Sequence, residues 1–299
     1  MRRLRLALCV LVFIGALGLT LYPLVSNYCA EAYQSTAIAA YTANVSSMDD
    51  TTLDSARQAA ADYNSTIRAV PLDGPDAIAV LDRIPPGYDS YMNVNGDGIM
   101  GYIRIPAIGI TLPIYHGVEA ETLEHGAGHL PGSSLPVGGE STHAVIAAHS
   151  GLASQRMFTD LEQLKQGDKF YLSVLDETLA YEVDQSLVVE PDDASPLSIV
   201  PGGDYVTLIT CTPYGANTHR LLVRGKRIPY TPAQEETIQA EEEAPTAPST
   251  WREQYVKGLA LGFGILAGSG GAGVIAWRIY QTRHPRRRYG RRYGKHEAH

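Results

Sequence analysis

Two uncharged apolar segments near the ends of the chain constrain its organisation more than any other feature. Residues 6–26 and residues 258–277 are each long enough to cross a bilayer as a helix. Three arginines precede the first segment, and seven arginines and one lysine follow the second. Basic flanks of membrane helices are retained in the cytoplasm. We therefore expect a two-pass protein of the cell membrane, with both termini cytoplasmic and the middle of the chain exported.

The exported middle is strongly acidic. Between the two apolar segments lie 13 basic and 31 acidic side chains, which gives this part a formal charge of −18. Such a surface repels phosphate backbones, so we do not expect nucleic-acid binding. A cleaved signal peptide is the alternative interpretation of the first segment, but the apolar run is longer than that of a typical signal peptide. We therefore favour a retained anchor.

Composition divides the rest of the chain. Residues 27–68 are rich in alanine and carry helix-capping residues at 47–50, whereas residues 69–95 are aperiodic and rich in proline and glycine. The predicted parts are a cytoplasmic tip at 1–5, N-terminal helices at 27–68, a candidate lid and connector at 69–95, a β domain at 96–230, an acidic linker at 231–257 and a basic cytoplasmic tail at 278–299.

The β domain consists of short β-branched and aromatic runs separated by turn residues. A short helix is predicted only at 157–164. This pattern is typical of a barrel or a sandwich. The predicted strands are 99–105, 112–115, 143–148, 170–174, 181–189, 206–210 and 220–227.

Cys211 ends one of these strands and lies deep in the exported domain, whereas Cys9 and Cys29 lie in or beside the first apolar segment. A lone thiol in an exported domain indicates a nucleophile. Cysteine catalysis also needs a proton donor and groups that stabilise an oxyanion. His149 ends an apolar run before Ser150-Gly151, and Arg220 begins the next strand. We predict that these two side chains join Cys211.

Two other histidines are assigned different places. His143 begins the strand that His149 ends, so we expect it to pack or cap at the opposite end. His219 adjoins Arg220, but strand alternation turns the two side chains to opposite faces. A surface ion pair is the alternative interpretation for Arg220, and Arg224, Lys226 and Arg227 fit that interpretation better.

The segments around these residues resemble class C sortases, the pilin-polymerising sortases of Gram-positive bacteria. The resemblance rests on TLITCTPYGANTHRLLVRGKR at 207–227, IMGYIRIPAIGITLPIYHG at 99–117, GAGHLPGSSLPVGGESTHAVIAAHSGL at 126–152 and FTDLEQLKQGDKFYL at 158–172. It implies a mainly β fold, a closed eight-stranded barrel with N-terminal helices and a lid. It also implies that Cys211 is the nucleophile, His149 the general acid and base, and Arg220 the group that stabilises the oxyanion or positions the substrate.

The resemblance further implies the reaction. An LPXTG-like sorting signal is cleaved between Thr and Gly, a thioacyl-enzyme forms, and a pilin lysine resolves it, with no cofactor and no metal. Thr210 and the backbone after Cys211 are expected to donate to the oxyanion, and Thr212 to support the site. A sortase that attaches proteins to the cell wall, an exported cysteine protease and a non-catalytic adhesin-like domain are the alternatives.

The sequence departs from class C in its lid. The resemblance implies an Asp-Pro-aromatic motif that closes the active site, and no such tripeptide occurs here. Residues 69–91 lie where the lid belongs, and Asp73 and Asp76 are the candidate anchors in it. We therefore expect a lid that is more open or more mobile than usual.

Overall fold

A closed barrel of eight strands forms the centre of the computed structural model. The structure describes residues 2–67, 86–152, 154–231, 238, 255–262 and single positions from 264 to 283. The chain divides into one unit over Met1–Trp251 and a second over Arg252–His299. Within the second unit, the described residues 255–262 are helical.

The strands follow the order β1-β2-β3-β4-β7-β8-β6-β5 around the barrel. The pairs β2–β3 and β4–β7 are parallel, and the other neighbours are antiparallel. The mainly β, eight-stranded fold is confirmed. The strands are β1 Ile99–Ile105, β2 Ile110–His116, β3 Ala127–His129, β4 Thr142–Ala147, β5 Lys169–Val174, β6 Glu177–Val189, β7 Asp204–Thr212 and β8 His219–Ile228.

All seven predicted strands are present, and the strand that sequence patterns missed is β3. Its three residues are too few for an alternating pattern to appear. The predicted helix at 157–164 is wrong. This stretch holds only a 3₁₀ turn at Leu161–Gln163, and Met157 has a φ of 44°, which a continuous helix does not allow.

Two N-terminal helices, α1 Arg2–Val45 and α2 Asp50–Ile67, lie against the barrel. Asp49 caps α2 by accepting a hydrogen bond from the Thr52 amide at 2.9 Å, as the capping residues predicted. The Tyr41 hydroxyl donates to the Met100 carbonyl and accepts from the Leu175 amide, both at 3.0 Å. The helices are therefore held on the barrel by buried polar contacts as well as by apolar packing.

One described helix is long and apolar enough to span a membrane, and it covers Phe13–Val45. It includes part of the first predicted apolar segment and continues without a break into the N-terminal helical region. Most of the second predicted segment, 258–277, lies outside the described residues, and its role as a span stays a prediction.

The end of the candidate lid and connector belongs to the barrel packing. Tyr88 is buried, and its hydroxyl lies 2.8 Å from Nδ1 of His129 and accepts from the Gly117 amide at 3.2 Å. Residues 86–95 are therefore a connector. Asp73 and Asp76 lie outside the described residues, and their role as lid anchors stays a prediction.

A short helix, α3 Ala120–Leu123, lies between β2 and β3. It completes the connection that brings β3 parallel to β2.

Candidate active site

Strand register brings the three predicted catalytic residues into one row. Cys211 of β7 and Arg220 of β8 are directly opposite each other in the antiparallel pair. In the parallel pair β4–β7, Ala147 is level with Ile209, so His149 comes level with Cys211 two residues further on. The Ala148 amide donates to the Ile209 carbonyl at 3.1 Å, which carries this register beyond the end of β4.

Cys211 and Arg220 also share a face, and alternation extends it to His149, because Val145 lies in the outer-face cluster and Ala148 in the core. Val206 and Leu208 of β7 point into the barrel core. Because side chains alternate along a strand, Ile209 and Cys211 both point the other way, to the outer face. Residues directly opposite each other on paired strands lie on the same face, which places Arg220 with Cys211. His149, Cys211 and Arg220 are each half-buried. They form a row at one end of the outer face of strands β4, β7 and β8.

Within the described part of the chain, the Arg220 guanidinium contacts backbone carbonyls and no carboxylate. Its Nη1 donates to the carbonyl oxygens of His219 at 3.2 Å and Asn217 at 3.5 Å, and no described carboxylate pairs with it. By contrast, Arg224 forms a two-pronged contact with Asp184, at 3.0 and 2.8 Å. Arg227 lies 3.8 Å from Asp204. The prediction of ion pairs is confirmed for these two arginines, and among the described carboxylates none pairs with Arg220.

The two threonines beside Cys211 lie differently from the expectation. Thr210 points inward, is buried, and donates its hydroxyl hydrogen to the Ala148 carbonyl at 2.8 Å. This proton is therefore committed to holding β4 beside β7, and the expected Thr210 oxyanion donor is corrected to a structural support. Thr212 is opposite His219, on the face away from Cys211. The backbone after Cys211 stays as the predicted oxyanion donor.

Three other histidines lie outside the row. His143 is buried at the opposite end of β4, as predicted, and His219 lies on the other face from Arg220, 3.3 Å from Glu190. His129 is buried between Tyr88 and the Ser134 carbonyl. Across the described residues, no group of three or more His, Cys, Asp or Glu side chains is placed to hold a metal ion.

Buried His129 and His143 predict an acid-sensitive fold. Burial lowers the pKa of each to about 4, with the nearby His116 acting on His129 and Arg224 on His143 in the same direction, while Asp184 opposes the effect on His143. Between about pH 7 and pH 5 the unfolded chain binds protons at these residues and the folded chain does not. The free energy of unfolding should therefore decrease as the pH falls from 7 to 5, by about 2 kcal/mol per histidine.

Urea unfolding of the full chain in detergent at several pH values in this window measures the slope. His129→Gln keeps an N–H donor for the Ser134 carbonyl and removes one titrating group, so it should flatten the slope by about half. His125→Gln, at an exposed position, is the control and should leave the slope unchanged. Equal slopes in all three proteins would contradict the prediction.

An apolar cluster on the same outer face was missed by the sequence patterns. Its buried members are Val145, Leu222, Ala194 and Leu197, and it extends to the partly buried Leu130, Leu187, Val189 and Ile209. Val189 is directly opposite Arg220, so the cluster reaches the row of predicted catalytic residues. One sequence pattern could have indicated this cluster. The uninterrupted apolar run 144–148 is typical of a strand that is buried on both faces.

A family model and several known proteins match this chain. The sortase domain model matches residues 103–228. Sortase A of Streptococcus agalactiae is 32% identical over 131 residues, which cover 43% of this chain and 52% of that protein. Sortase D of Bacillus subtilis is 30% identical over 43% of this chain and 63% of its own length. The chain thus spans about half to two-thirds of these curated relatives.

Solved structures match more of the chain. Sortase C1 of Streptococcus agalactiae is 45% identical with a TM-score of 0.59, and the match covers 66% of this chain and 100% of that chain. A lid mutant of sortase A from Corynebacterium diphtheriae is 44% identical with a TM-score of 0.56, over 63% of this chain and 100% of that chain. The chain therefore belongs to the sortase family. Its neighbours of known structure include class C sortases, which places it in class C.

Proposed function

We propose that this protein is a membrane-anchored cysteine transpeptidase that joins pilin subunits through LPXTG-like sorting signals. The observation that carries the proposal is the row of His149, Cys211 and Arg220 at one end of an outer sheet face. A thiol, an imidazole and an unpaired guanidinium in one row supply a nucleophile, a proton carrier and a cation for an oxyanion.

The first step forms the acyl-enzyme. The Cys211 thiolate attacks the carbonyl carbon of the threonine in the sorting signal, and a carbon–sulfur bond forms. Negative charge develops on the carbonyl oxygen, where the Arg220 guanidinium stabilises it. The bond between Thr and Gly then breaks, and protonated His149 transfers its proton to the departing glycine amine. The product is a thioester on Cys211.

The second step transfers the acyl group. The neutral ε-amine of a pilin lysine attacks the thioester carbonyl, and His149 accepts a proton from the attacking nitrogen. The carbon–sulfur bond breaks and Cys211 leaves as the thiolate. The result is an amide bond between two pilins, and the enzyme returns to its starting protonation state.

The apolar cluster beside the row fits the apolar part of the sorting signal. It runs from Val189, opposite Arg220, toward the interior of the outer face, where Val145 and Leu222 are buried. When the leucine and proline of the signal lie along this surface, the threonine two residues after the proline comes to the end where Cys211 lies. We place the sorting-signal groove on the partly buried members of this cluster, Leu130, Leu187, Val189 and Ile209, with Val145, Leu222, Ala194 and Leu197 packed beneath them.

The membrane arrangement is part of the proposal. The long N-terminal helix supports an anchor before the barrel. The apolar segment 258–277 and the basic tail 278–299 support a second span with both termini cytoplasmic and the catalytic domain outside the cell. The acidic exported domain gives no support to nucleic acid as a partner.

The proposal is tested by incubating the full chain in detergent with a pilin that carries an LPXTG-like signal. We expect a ladder of covalent pilin multimers on a denaturing gel, with the join at a lysine ε-amine by peptide mass mapping. Transfer only to a wall-precursor mimic would contradict pilin polymerisation and favour wall anchoring. Release of the cleaved pilin with no effect of added amine would favour a protease.

A further inference from the structure

We propose that His143 is a positioning residue for the sorting-signal groove, and that it acts by holding the loop of residues 190–203 against the outer face of the sheet. This inference rests on the proposed function, because it concerns how the same site recognises its substrate. It assigns a role to a histidine that lies at the far end of β4 from His149 and takes no part in the chemistry.

His143 bridges the sheet and the loop. Its Nδ1 lies 2.9 Å from the Ser198 carbonyl, and its Nε2 lies 2.7 Å from the Thr207 hydroxyl. A carbonyl only accepts, so Nδ1 carries the proton and donates to the loop. Nε2 of the neutral ring then accepts from Thr207. The ring is 1% exposed, so water does not replace either bond.

The loop that His143 contacts supports the groove from beneath. Ala194 and Leu197 from this loop are buried in the same cluster as Val145 and Leu222 of the sheet, and the partly buried groove residues pack against that cluster. The Ser198 carbonyl follows Leu197 directly, so the His143 bond acts at the residue next to a side chain of this support. If this bond is lost, the loop is expected to loosen at that point and the groove residues to lose part of their support.

The chemistry lies far enough away to be separable from this effect. His143 and His149 are six residues apart along one strand direction, which is about 20 Å in an extended chain. Loosening the loop should therefore weaken the binding of the apolar part of the signal and leave the reacting groups in place. The measurable result is a higher KM with a nearly unchanged kcat.

Three substitutions separate the loop bond from the sheet bond. The amide of His143→Asn reaches the position of Nδ1 and keeps a donor for the Ser198 carbonyl. The amide of His143→Gln reaches the position of Nε2, so it keeps the Thr207 contact and loses the loop contact. Thr207→Val removes the sheet contact and leaves the loop contact in place.

The full chain in detergent is assayed with a fluorogenic LPXTG-like peptide, and amide hydrogen exchange of residues 190–203 is followed by mass spectrometry without substrate. We expect His143→Gln to raise KM about tenfold and to speed exchange in the loop. His143→Asn and Thr207→Val should stay within about threefold of the wild-type KM, even where they lower thermal stability.

Equal KM values and equal loop exchange in the Gln and Asn variants would overturn the inference and leave His143 as a packing residue. A change in kcat alone would also overturn it, because the effect would then act on the catalytic row. If the wild-type chain does not cleave the peptide, the proposed function fails. The exchange experiment needs no substrate, so it still decides whether His143 holds the loop.

Discussion

Replacing Cys211 by alanine is expected to abolish both cleavage of the sorting signal and formation of pilin multimers. The loss should be at least about 10³-fold, because no other described group in the row can form the acyl-enzyme. Mass spectrometry of the wild-type chain mixed with a sorting-signal peptide should show a covalent adduct on Cys211. The adduct should be absent from Cys211→Ala.

Cys29 provides the matched control. It is an exposed free thiol on α1, so a reagent or peptide that simply reacts with accessible cysteines would find it first. Cys29→Ala should keep the wild-type rate and the adduct. An active Cys211→Ala variant, or an adduct that disappears with Cys29→Ala, would contradict the assignment of the nucleophile. Both variants should unfold at the same temperature as the wild type within a few degrees.

Replacing Arg220 by lysine is expected to lower kcat/KM by about 10²-fold even though the positive charge is kept. A guanidinium presents several N–H donors in a fixed plane, whereas an ammonium is a compact charge on a flexible stem. Arg220 already uses Nη1 to contact the carbonyls of Asn217 and His219, which orients the group beside Cys211. A lysine cannot hold these carbonyls and meet an oxyanion at the same time. Removing one oxyanion donor typically costs this much in rate.

Arg227→Lys is the control for the same chemical change on the same strand. Arg227 pairs with Asp204 at 3.8 Å, seven residues from Arg220 and away from the row, so this variant should keep kcat/KM within about twofold. The comparison is made with single-turnover formation of the acyl-enzyme, which isolates the step that Arg220 serves. Equal rates for Arg220→Lys and the wild type would remove Arg220 from the mechanism.

Local sequence patterns were sufficient for much of the barrel, and they also gave the candidate reactive residues. The strand at Ile99–Ile105 has the same bounds in sequence and structure, because its alternation is regular and a turn-forming cluster precedes it. The thiol, the histidine after an apolar run and the arginine at a strand start were identifiable from residue type and position. Alternation alone predicted that His219 and Arg220 point to opposite faces. The register agrees, because Arg220 is opposite Cys211 and His219 is opposite Thr212.

Other features depend on contacts between distant segments. β3 is a strand because β2 and β4 flank it, not because its three residues favour one. The Thr210 hydroxyl was expected to face an oxyanion, but Ala148 on the neighbouring strand accepts its proton. The short helix expected at 157–164 is replaced by turns, where Met157 and Phe158 are buried in the core. Tertiary packing overrides local preference in each of these places.

The sequence by itself determined the acidic charge of the domain and its mainly β character, and it predicted Cys211, His149 and Arg220 as the site, because charge, periodicity and residue chemistry are local properties. Only the tertiary structure decided that these three residues share one row and one face, since this depends on the register between β4, β7 and β8. It also decided that the loop of residues 190–203 packs on the outer face of the sheet, where His143 contacts the Ser198 carbonyl. Register and long-range packing join residues far apart in the chain, and no local pattern encodes such a pairing by itself.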